Sequence, residues 1–436
     1  MNTESLYTYY KNCDYTVNTD SRKQIQNSLF FALKGESFDG NLYAQQALEN
    51  GAAYAVIDNP NLKDKNKRFI YVENSLVALQ KLAQFHRRSL KTPIIGITGT
   101  NGKTTTKELI TAVLSKRYNV HYTKGNFNNH IGVPLTLLDL RKQHELAVVE
   151  MGASHPGEIA ELTALVEPNF GLITNIGKGH LEGFGSFEGV IKTKKELYDY
   201  LSNDPLSTLF INTDDLLLNK LAKDIPNQFT YSSKSTDADI TGTINNNKAT
   251  IDVTWHTKAN NFKQLIKSRL IGDYNLDNIL AAIAIGCYFQ VESQDINDAI
   301  SLYTPTNNRS QLKKTTKNTL IIDAYNANPT SMKAAIENFE KLESELPKMV
   351  ILGNMGELGK DSPNEHEKII TLLNSCSNLK QIILIGEYFE AINHSFLQFK
   401  STDDFKAYLN NNIIEGYSIL IKGSNSLKLY SLDTYL

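Results

Sequence analysis

The chain has 436 residues, which at roughly 150 residues per domain predicts about three domains with real hydrophobic cores. Its 45 Lys and Arg against 47 Asp and Glu leave a formal charge of −2, so composition supplies no cationic field for gripping a nucleic-acid backbone. Hydrophobic residues at 41% and charged residues at 21% exclude a disordered or collagen-like chain, and three scattered cysteines (Cys13, Cys287, Cys376) support neither a disulfide framework nor a cysteine metal site, which points to reducing cytosol.

The N-terminus MNTESLYTYYKNCDYT lacks the basic and then apolar pattern of a signal peptide, and the longest apolar stretch, around Ile279 to Phe289, is too short to span a bilayer. A cytoplasmic protein without membrane insertion is expected. Residues 1 to about 90 mix short apolar runs (Ser28 to Leu33, Ala52 to Ile57, Phe69 to Val72) with helical stretches at Tyr43 to Asn50 and Leu76 to Arg88, a small α/β domain. The polar stretch His86 to Thr92, closed by Pro93, reads as a linker. From Pro93 short buried strands alternate with helices: Ile94 to Thr98 then Lys103 to Lys116, Leu146 to Met151 then Glu158 to Val166, Gly171 to Asn175 then Phe187 to Leu201. Such alternation predicts a mostly parallel sheet with helices on both faces. Between Thr230 and Leu270 the pattern (ADITGTI, KATIDVTW) reads as an antiparallel meander, and the helix Asn275 to Phe289 closes the zone. After Thr304 alternation restarts with strands at Leu320 to Asp323, Met349 to Leu352, Gln381 to Ile385 and Ile419 to Lys422, and helices at Thr330 to Leu342 and Asn364 to Ser375. The asparagine runs Asn245 to Asn247 and Asn410 to Asn412 read as turns. The fold class is therefore α/β with three domains, 1–90, 91–304 and 305–436.

Three segments carry chemistry. In IIGITGTNGKTTTKEL an apolar strand runs into Gly99, Thr100, Asn101, Gly102, Lys103 and Thr104, and a helix follows. Glycines let backbone N–H groups close around phosphate oxygens at the positive end of that helix, with Lys103 on the outer phosphates and the Thr104 hydroxyl on Mg2+. The spacing departs from the common phosphate loop, which places Gly where this chain has Ile97; the competing reading is a plain glycine turn. In AVVEMGASHPGEI, Glu150 ends a strand, where a carboxylate suits Mg2+ held against nucleotide phosphates, or is simply a solvated strand-end acid. In TNIGKGHLEGFGSFEGVIKTKKEL, five glycines between Gly177 and Gly189 surround His180, and a helix with Lys192, Lys194 and Lys195 follows. Dense glycine marks a functional loop, yet a lone histidine is more often structural and a lysine run more often a solvated helix face.

These segments together with DAYNANP at Asp323 to Pro329 resemble the Mur ligases, the ATP-dependent amide-forming enzymes of peptidoglycan precursor synthesis. The resemblance runs along nearly the whole chain, and TDSRKQIQNSLFFALKGESFDG, KGNFNNHIGVPLTLL and LGNMGELG point to the branch that joins D-Ala-D-Ala to UDP-N-acetylmuramoyl-tripeptide. It implies a central phosphate-loop domain and a Rossmann-like C-terminal domain. It places Lys103 on ATP phosphate, Thr104 and Glu150 on Mg2+, His180 on a second Mg2+, and Lys194 as an N-carboxylated lysine that also ligates metal. Asn275 and Asn278 match its nucleotide helix, and Arg309, Asp323 and Asn326 match residues presented to ATP by the C-terminal domain. Lys103, His180, Lys194 and Arg309 are thereby the expected catalytic set. Thr19, Asp20, Ser21, Arg22, Lys34, Gly35 and Glu36 match segments that hold the uridine-diphosphate end, and Asn126, Asn128, Asn129 and His130 match a loop near the sugar peptide. Departures are Asn354, where the family commonly has Asp, and Asn425, where Arg is usual; both bear on recognition of the dipeptide. The expected state is a monomer with small-molecule substrates only. The rival readings are a Mur-type ligase for a single amino acid or for a folate, and an NTPase without ligase chemistry.

Overall fold

A computed structural model describes residues 1–246, 249–305 and 309–436. Asn247 and Lys248, placed by the sequence in a turn and at a strand start, lie outside the described residues. The chain forms two compact units, one of residues 1–97, 118–153 and 157–171, the other of residues 98–117, 154–156 and 172–436.

In the first unit four parallel strands lie in the order Val17–Asn18, Ser28–Phe31, Ala52–Ile57, Phe69–Tyr71. Ser28–Phe31 is buried at every position, as a strand covered on both faces must be. One face packs Phe30, Ala32, Ala55 and Ile57 against Ala44, Ala47 and Leu48 of the helix Ala44–Glu49. The expected linker at His86 to Thr92 is corrected here. The helix Ser75–Leu90 runs through it and stops at Lys91 in the left-handed region. His86 is buried with Nε2 2.9 Å from the Leu140 carbonyl, and Arg87 donates to the carbonyls of Val166 and Glu167, so these polar residues are packed rather than solvated. A second parallel set pairs Ile94 to Ile97 with Ala147 to Glu150, and Val120–Tyr122 with Leu146 to Val148. That register carries Glu150 to the carboxyl end of a fully buried strand.

In the second unit the strands Thr208–Asn212, Gln228–Ser232 and Ile240–Ile244 are parallel, and Ile240–Ile244, Thr250–Thr257 and Asn260–Ile271 are antiparallel. The meander expected from Thr230 onward is thus corrected at its first pairing. The Asp239 carboxylate accepts from both the N–H and the hydroxyl of Thr230, at 2.8 and 2.7 Å, which brings the chain back to the start of the strand before the next is laid. The helix Lys103–Leu114 packs on Asn275–Tyr288 closely enough that a side chain at Gly286 would meet Val113.

The rest of this unit holds a six-stranded sheet ordered Gln311–Lys314, Thr319–Asp323, Ser418–Lys422, Lys348–Gly353, Leu379–Ile385, Leu397–Phe399, parallel except at the first edge. The last strand in sequence inserts beside Thr319–Asp323, so Asp323 and Lys422 are direct neighbours in register. The carboxyl ends of such strands are where an open α/β sheet exposes a crevice. Strands and helices alternate through both units, as the sequence pattern predicts. No helix among the described residues is long and apolar enough to cross a membrane.

Candidate active site

The phosphate loop owes its shape to two glycines. Gly99 has φ +145, and a Cβ there would overlap the Thr174 hydroxyl; Gly102 has φ +80 and caps the helix Lys103–Leu114 without any side-chain cap. A first turn capped by glycine backbone is the form in which helix N–H groups serve an anion. Neighbouring segments brace the loop. Asn101 N–H donates to Asn175 Oδ1 at 3.0 Å, Asn175 Nδ2 and the Thr174 hydroxyl donate to the Asn101 carbonyl, and the Thr100 hydroxyl donates to the Gly177 carbonyl at 3.2 Å. Lys103 arcs back, its Nζ 2.8 Å from the Gly99 carbonyl and 3.2 Å from that of Thr100. On the other side Asn278 Oδ1 accepts from the Thr106 hydroxyl at 2.9 Å while its Nδ2 donates to Asn275 Oδ1 at 2.8 Å. Both amides are buried, which makes them supports of the loop in this structure.

The glycine-rich segment after Ile173 is the second component. His180, in the left-handed region at φ 52, opens the short helix Leu181–Phe184, and its Nδ1 lies 2.5 Å from Glu357 Oε2. The approach is off the ring N–H axis. The His180 ring nitrogen beside it holds the Glu357 carboxyl below the usual carboxylate range. Glu182 N–H donates to the Glu357 carbonyl, Lys178 N–H donates to the Thr330 hydroxyl, and Lys178 Nζ donates to Glu365 Oε1 at 2.7 Å. Burial pushes the Glu365 carboxyl up, but hydrogen bonds from Lys178 and Lys368 outweigh it and hold the group low. Asn101 and Asn328 exchange amide contacts at 2.8 and 3.5 Å. Of the three lysines on Phe187–Leu201, Lys192 is exposed and Lys195 pairs with Asp199, whereas Lys194 is 2% exposed with Nζ 5.5 Å from the Phe184 ring centroid. The His180 ring meets the same phenyl ring edge-on at 6.3 Å.

A third group comes from the six-stranded sheet. The Arg309 guanidinium stacks on Tyr325 at 3.7 Å, and Asp323 accepts from Lys422 Nζ at 2.6 Å and from Ser310 N–H at 3.4 Å. Lys422 also donates to the Asn326 carbonyl, and Asn326 Oδ1 accepts from Ala327 N–H. The Asn354 amide lies over Gly386, whose φ of +124 and lack of a side chain make room for it.

The remaining predicted residues belong to the first unit. Buried Glu150 accepts from Asn128 Nδ2 at 2.8 Å through Oε1, which joins a residue expected at the sugar peptide to one expected at Mg2+. Asn129 Oδ1 accepts from the N–H groups of Ile131 and Gly132, and the His130 carbonyl accepts from Gln80. Ser21 Oγ donates to Gln46, Arg22 binds Asp20 through two nitrogens at 2.8 and 3.0 Å, and Lys34 pairs with Asp58 at 2.9 Å. The hydrogen bond from Arg22 pulls the Asp20 carboxyl down to about 2. Gly35 sits on the two-stranded hairpin with Phe38–Asp39, apart from the Asn128 to His130 group in sequence and with no neighbour within 4 Å of a Cβ placed there. Sequence reasoning missed a pocket of about 310 Å³ in this unit, lined among others by Asp20, Lys23, Tyr122, Lys124, Phe127 and Arg141. Aromatic and cationic residues alternating in YTKGNF were the available signal. It also missed Lys178, Asn328, Thr330 and Glu365, whose partners are remote in sequence.

Chemically, two donors of the second unit are of types that suit a hard cation bound against phosphates, the Thr104 hydroxyl and the His180 imidazole whose Nδ1 faces a carboxylate, and in the first unit the Glu150 carboxylate, steered by Asn128, is another such donor type. A lysine amine is a poor Mg2+ ligand, and Lys194 fits the set only as a carbamate. Among the described residues no three His, Cys, Asp or Glu side chains form a metal cluster.

Family models match three consecutive stretches: the Mur ligase family, catalytic domain at residues 15–87, the Mur ligase middle domain at 97–286, and the Mur ligase, glutamate ligase domain at 308–425. The UDP-N-acetylmuramoyl-tripeptide--D-alanyl-D-alanine ligase of Bacillus subtilis (strain 168) is 38% identical, over 97% of this chain and 93% of its own. A crystal structure of MurF from Acinetobacter baumannii superposes with a TM-score of 0.86 at 29% identity, covering 96% of this chain and 92% of that one. A MurF ligase from Thermotoga maritima in complex with ADP gives 0.83 at 24% identity over 96% of both chains, a likeness of fold.

Proposed function

The chain belongs to the Mur ligase family, and from that premise we infer that it joins D-alanyl-D-alanine to UDP-N-acetylmuramoyl-tripeptide at the expense of ATP, forming the pentapeptide precursor of peptidoglycan. The observation that carries this reading is the 38% identity to a ligase of that specificity over 97% of one chain and 93% of the other. A coupled phosphate-release assay that crosses UDP-tripeptides with a panel of amine acceptors tests it. D-Ala-D-Ala must support turnover that single amino acids and glutamate do not, and phosphate release must require the UDP-tripeptide. Turnover with D-Ala-D-Ala no better than with single amino acids refutes the assignment.

A carboxylate does not acylate an amine in water, because its oxygen is a poor leaving group and its charge repels the nucleophile. In the proposed reaction the tripeptide carboxylate takes the γ-phosphoryl group of ATP as its bond to the β-phosphate breaks, giving an acyl phosphate and ADP. The dipeptide amine attacks the carbonyl carbon, and the tetrahedral intermediate expels inorganic phosphate. The positive N-terminus of the helix Lys103–Leu114 and the Lys103 ammonium hold the phosphates, and Arg309, oriented by the Tyr325 ring, adds positive charge to the group in transfer. Thr104, His180 and Lys194, the last as a carbamate, are the residues of the second unit that would hold Mg2+, and Glu150 is the candidate ligand of the first; the ion would neutralise phosphate oxygens when bound. Asn275 and Asn278 shape the loop and Asp323 and Asn326 form the C-terminal contribution to the nucleotide, while Ser21, Arg22, Lys34, Gly35, Asn128, Asn129 and His130 serve the UDP-sugar peptide. Domain boundaries near residues 90 and 304, a monomeric cytoplasmic enzyme, and a role in cell-wall growth, shape and division complete the proposal.

A further inference from the structure

An imidazole offers a metal one lone pair, and the partner of the other nitrogen decides which one. In His180 that partner is Glu357, whose Oε2 lies 2.5 Å from Nδ1. The oxygen lies off the ring axis, so no well-aligned hydrogen bond forms, but at this distance the carboxylate charge still disfavours a lone pair on Nδ1 and favours a proton there. Nε2 is left with the lone pair.

The arrangement is built into the backbone. His180 and Glu357 both occupy the left-handed region, at φ 52 and φ 60. Glu182 N–H donates to the Glu357 carbonyl at 3.1 Å, and Gly359, at φ 52, leaves its Cβ position 3.2 Å from Glu182 Cβ. Lys178, bonded to Thr330 and Glu365, ties down the loop two residues before His180. The Glu357 side chain is 61% exposed, so core packing does not demand a carboxylate there.

We propose that Glu357 is a positioning residue that fixes the His180 tautomer with its proton on Nδ1 and presents Nε2 to the divalent cation, so that metal affinity depends on segment 354–359 being docked on the glycine-rich loop. The proposal rests on the ligase reading for the presence of a cation at His180, but not for its test. The full-length protein labelled with 15N-histidine is examined free of metal, the His180 resonances being assigned by their loss in His180→Gln. The native protein shows the Nδ1–H tautomer, and Glu357→Ala moves His180 toward the Nε2–H form that imidazole prefers in water. Mn2+ titration by electron paramagnetic resonance, with a non-hydrolysable ATP analogue present, shows affinity falling about 10–100-fold in Glu357→Ala, the usual consequence of removing the partner of a metal-binding histidine. A native Nε2–H tautomer, or Mn2+ affinity unchanged in the variant, overturns the proposal. Failure of the ligase reading registers elsewhere, as absence of D-Ala-D-Ala-dependent phosphate release by the native enzyme.

Discussion

Gly102→Ala isolates what the phosphate loop asks of its residues. A Cβ at position 102 would stand 2.6 Å from Asn278 Oδ1, closer than side-chain carbons approach oxygen, so the amide must move. Moving it gives up the bonds with the Thr106 hydroxyl at 2.9 Å and with Asn275 Oδ1 at 2.8 Å, both buried. At about 1 kcal/mol per buried hydrogen bond this amounts to roughly 2 kcal/mol. The left-handed backbone adds about 1–2 kcal/mol for any residue but glycine. Gly157 supplies the control, because it caps the helix Glu158–Val166 at φ +87 with nothing within 4 Å of its Cβ position and carries the backbone cost alone. Gly102→Ala should therefore destabilise by about 2 kcal/mol more than Gly157→Ala, and should weaken binding of an ATP analogue at least tenfold where Gly157→Ala does not. In the double variant Gly102→Ala/Asn278→Ala the steric cost disappears, so the two changes are non-additive by about the same 2 kcal/mol. Thermal melts and calorimetric titration of five proteins, the native chain, Gly102→Ala, Gly157→Ala, Asn278→Ala and the double variant, decide the matter. Equal destabilisation by the two glycine changes, or additivity in the double variant, refutes the steric argument.

If Lys194 carries the proposed carbamate, Lys194→Ala should abolish ligation and a short-chain carboxylic acid should restore part of it, since the acid would return the anionic oxygen; rescue by an alkylamine instead would contradict a carbamate. Lys178→Ala and Glu365→Gln should each lower kcat/KM for ATP about fivefold, with a coupling of about 1 kcal/mol in the double-mutant cycle, a modest figure because Lys178 is 41% exposed and Lys368 still reaches Glu365 at 2.9 Å. Zero coupling would show that the pair does not hold the loop. His121 is buried, its Nε2 2.7 Å from the Thr136 carbonyl, and burial pulls its pKa down to about 4 from 6.5. The unfolded chain then binds the proton more readily than the native state, so stability rises with pH between about 4 and 6.5, is complete above that window, and is lost as pH falls through it. His121→Gln should flatten the difference between denaturation midpoints at pH 7 and pH 5; an unchanged slope would exclude His121 as its source.

Much of the fold was legible because period and punctuation agree. Glu158–Val166 and Phe187–Leu201 fall where apolar spacing and flanking Gly and Ser place them, and Ile94–Thr98 is an uninterrupted buried run between Pro93 and Gly99. The tail of Ser75–Leu90 was misread because polarity was taken for exposure, whereas Arg87 is buried by giving its N–H groups to remote carbonyls. The first pairing of the expected meander failed for a related reason. The parallel direction there is accompanied by the Asp239 carboxylate accepting from Thr230, a contact that alternation of apolar residues does not encode.

The site divides along the same line. Local chemistry is readable: glycines before Lys103, a carboxylate at a strand end, a histidine among glycines. Burial separates Lys194 from Lys192 and Lys195, a distinction the lysine run itself cannot make and only the resemblance pointed to. What stayed hidden is pairwise. Asn101 finds Asn328 across 227 positions and Lys178 finds Glu365 across 187, and no motif announces either. Yet these contacts, with His180 on Glu357, all converge on the phosphate loop and the glycine-rich segment from residues of the C-terminal sheet system. Substitutions at Asn328, Glu357 or Glu365 should therefore change nucleotide and metal affinity before they change recognition of the dipeptide, although each lies in the stretch matched by the glutamate ligase domain model.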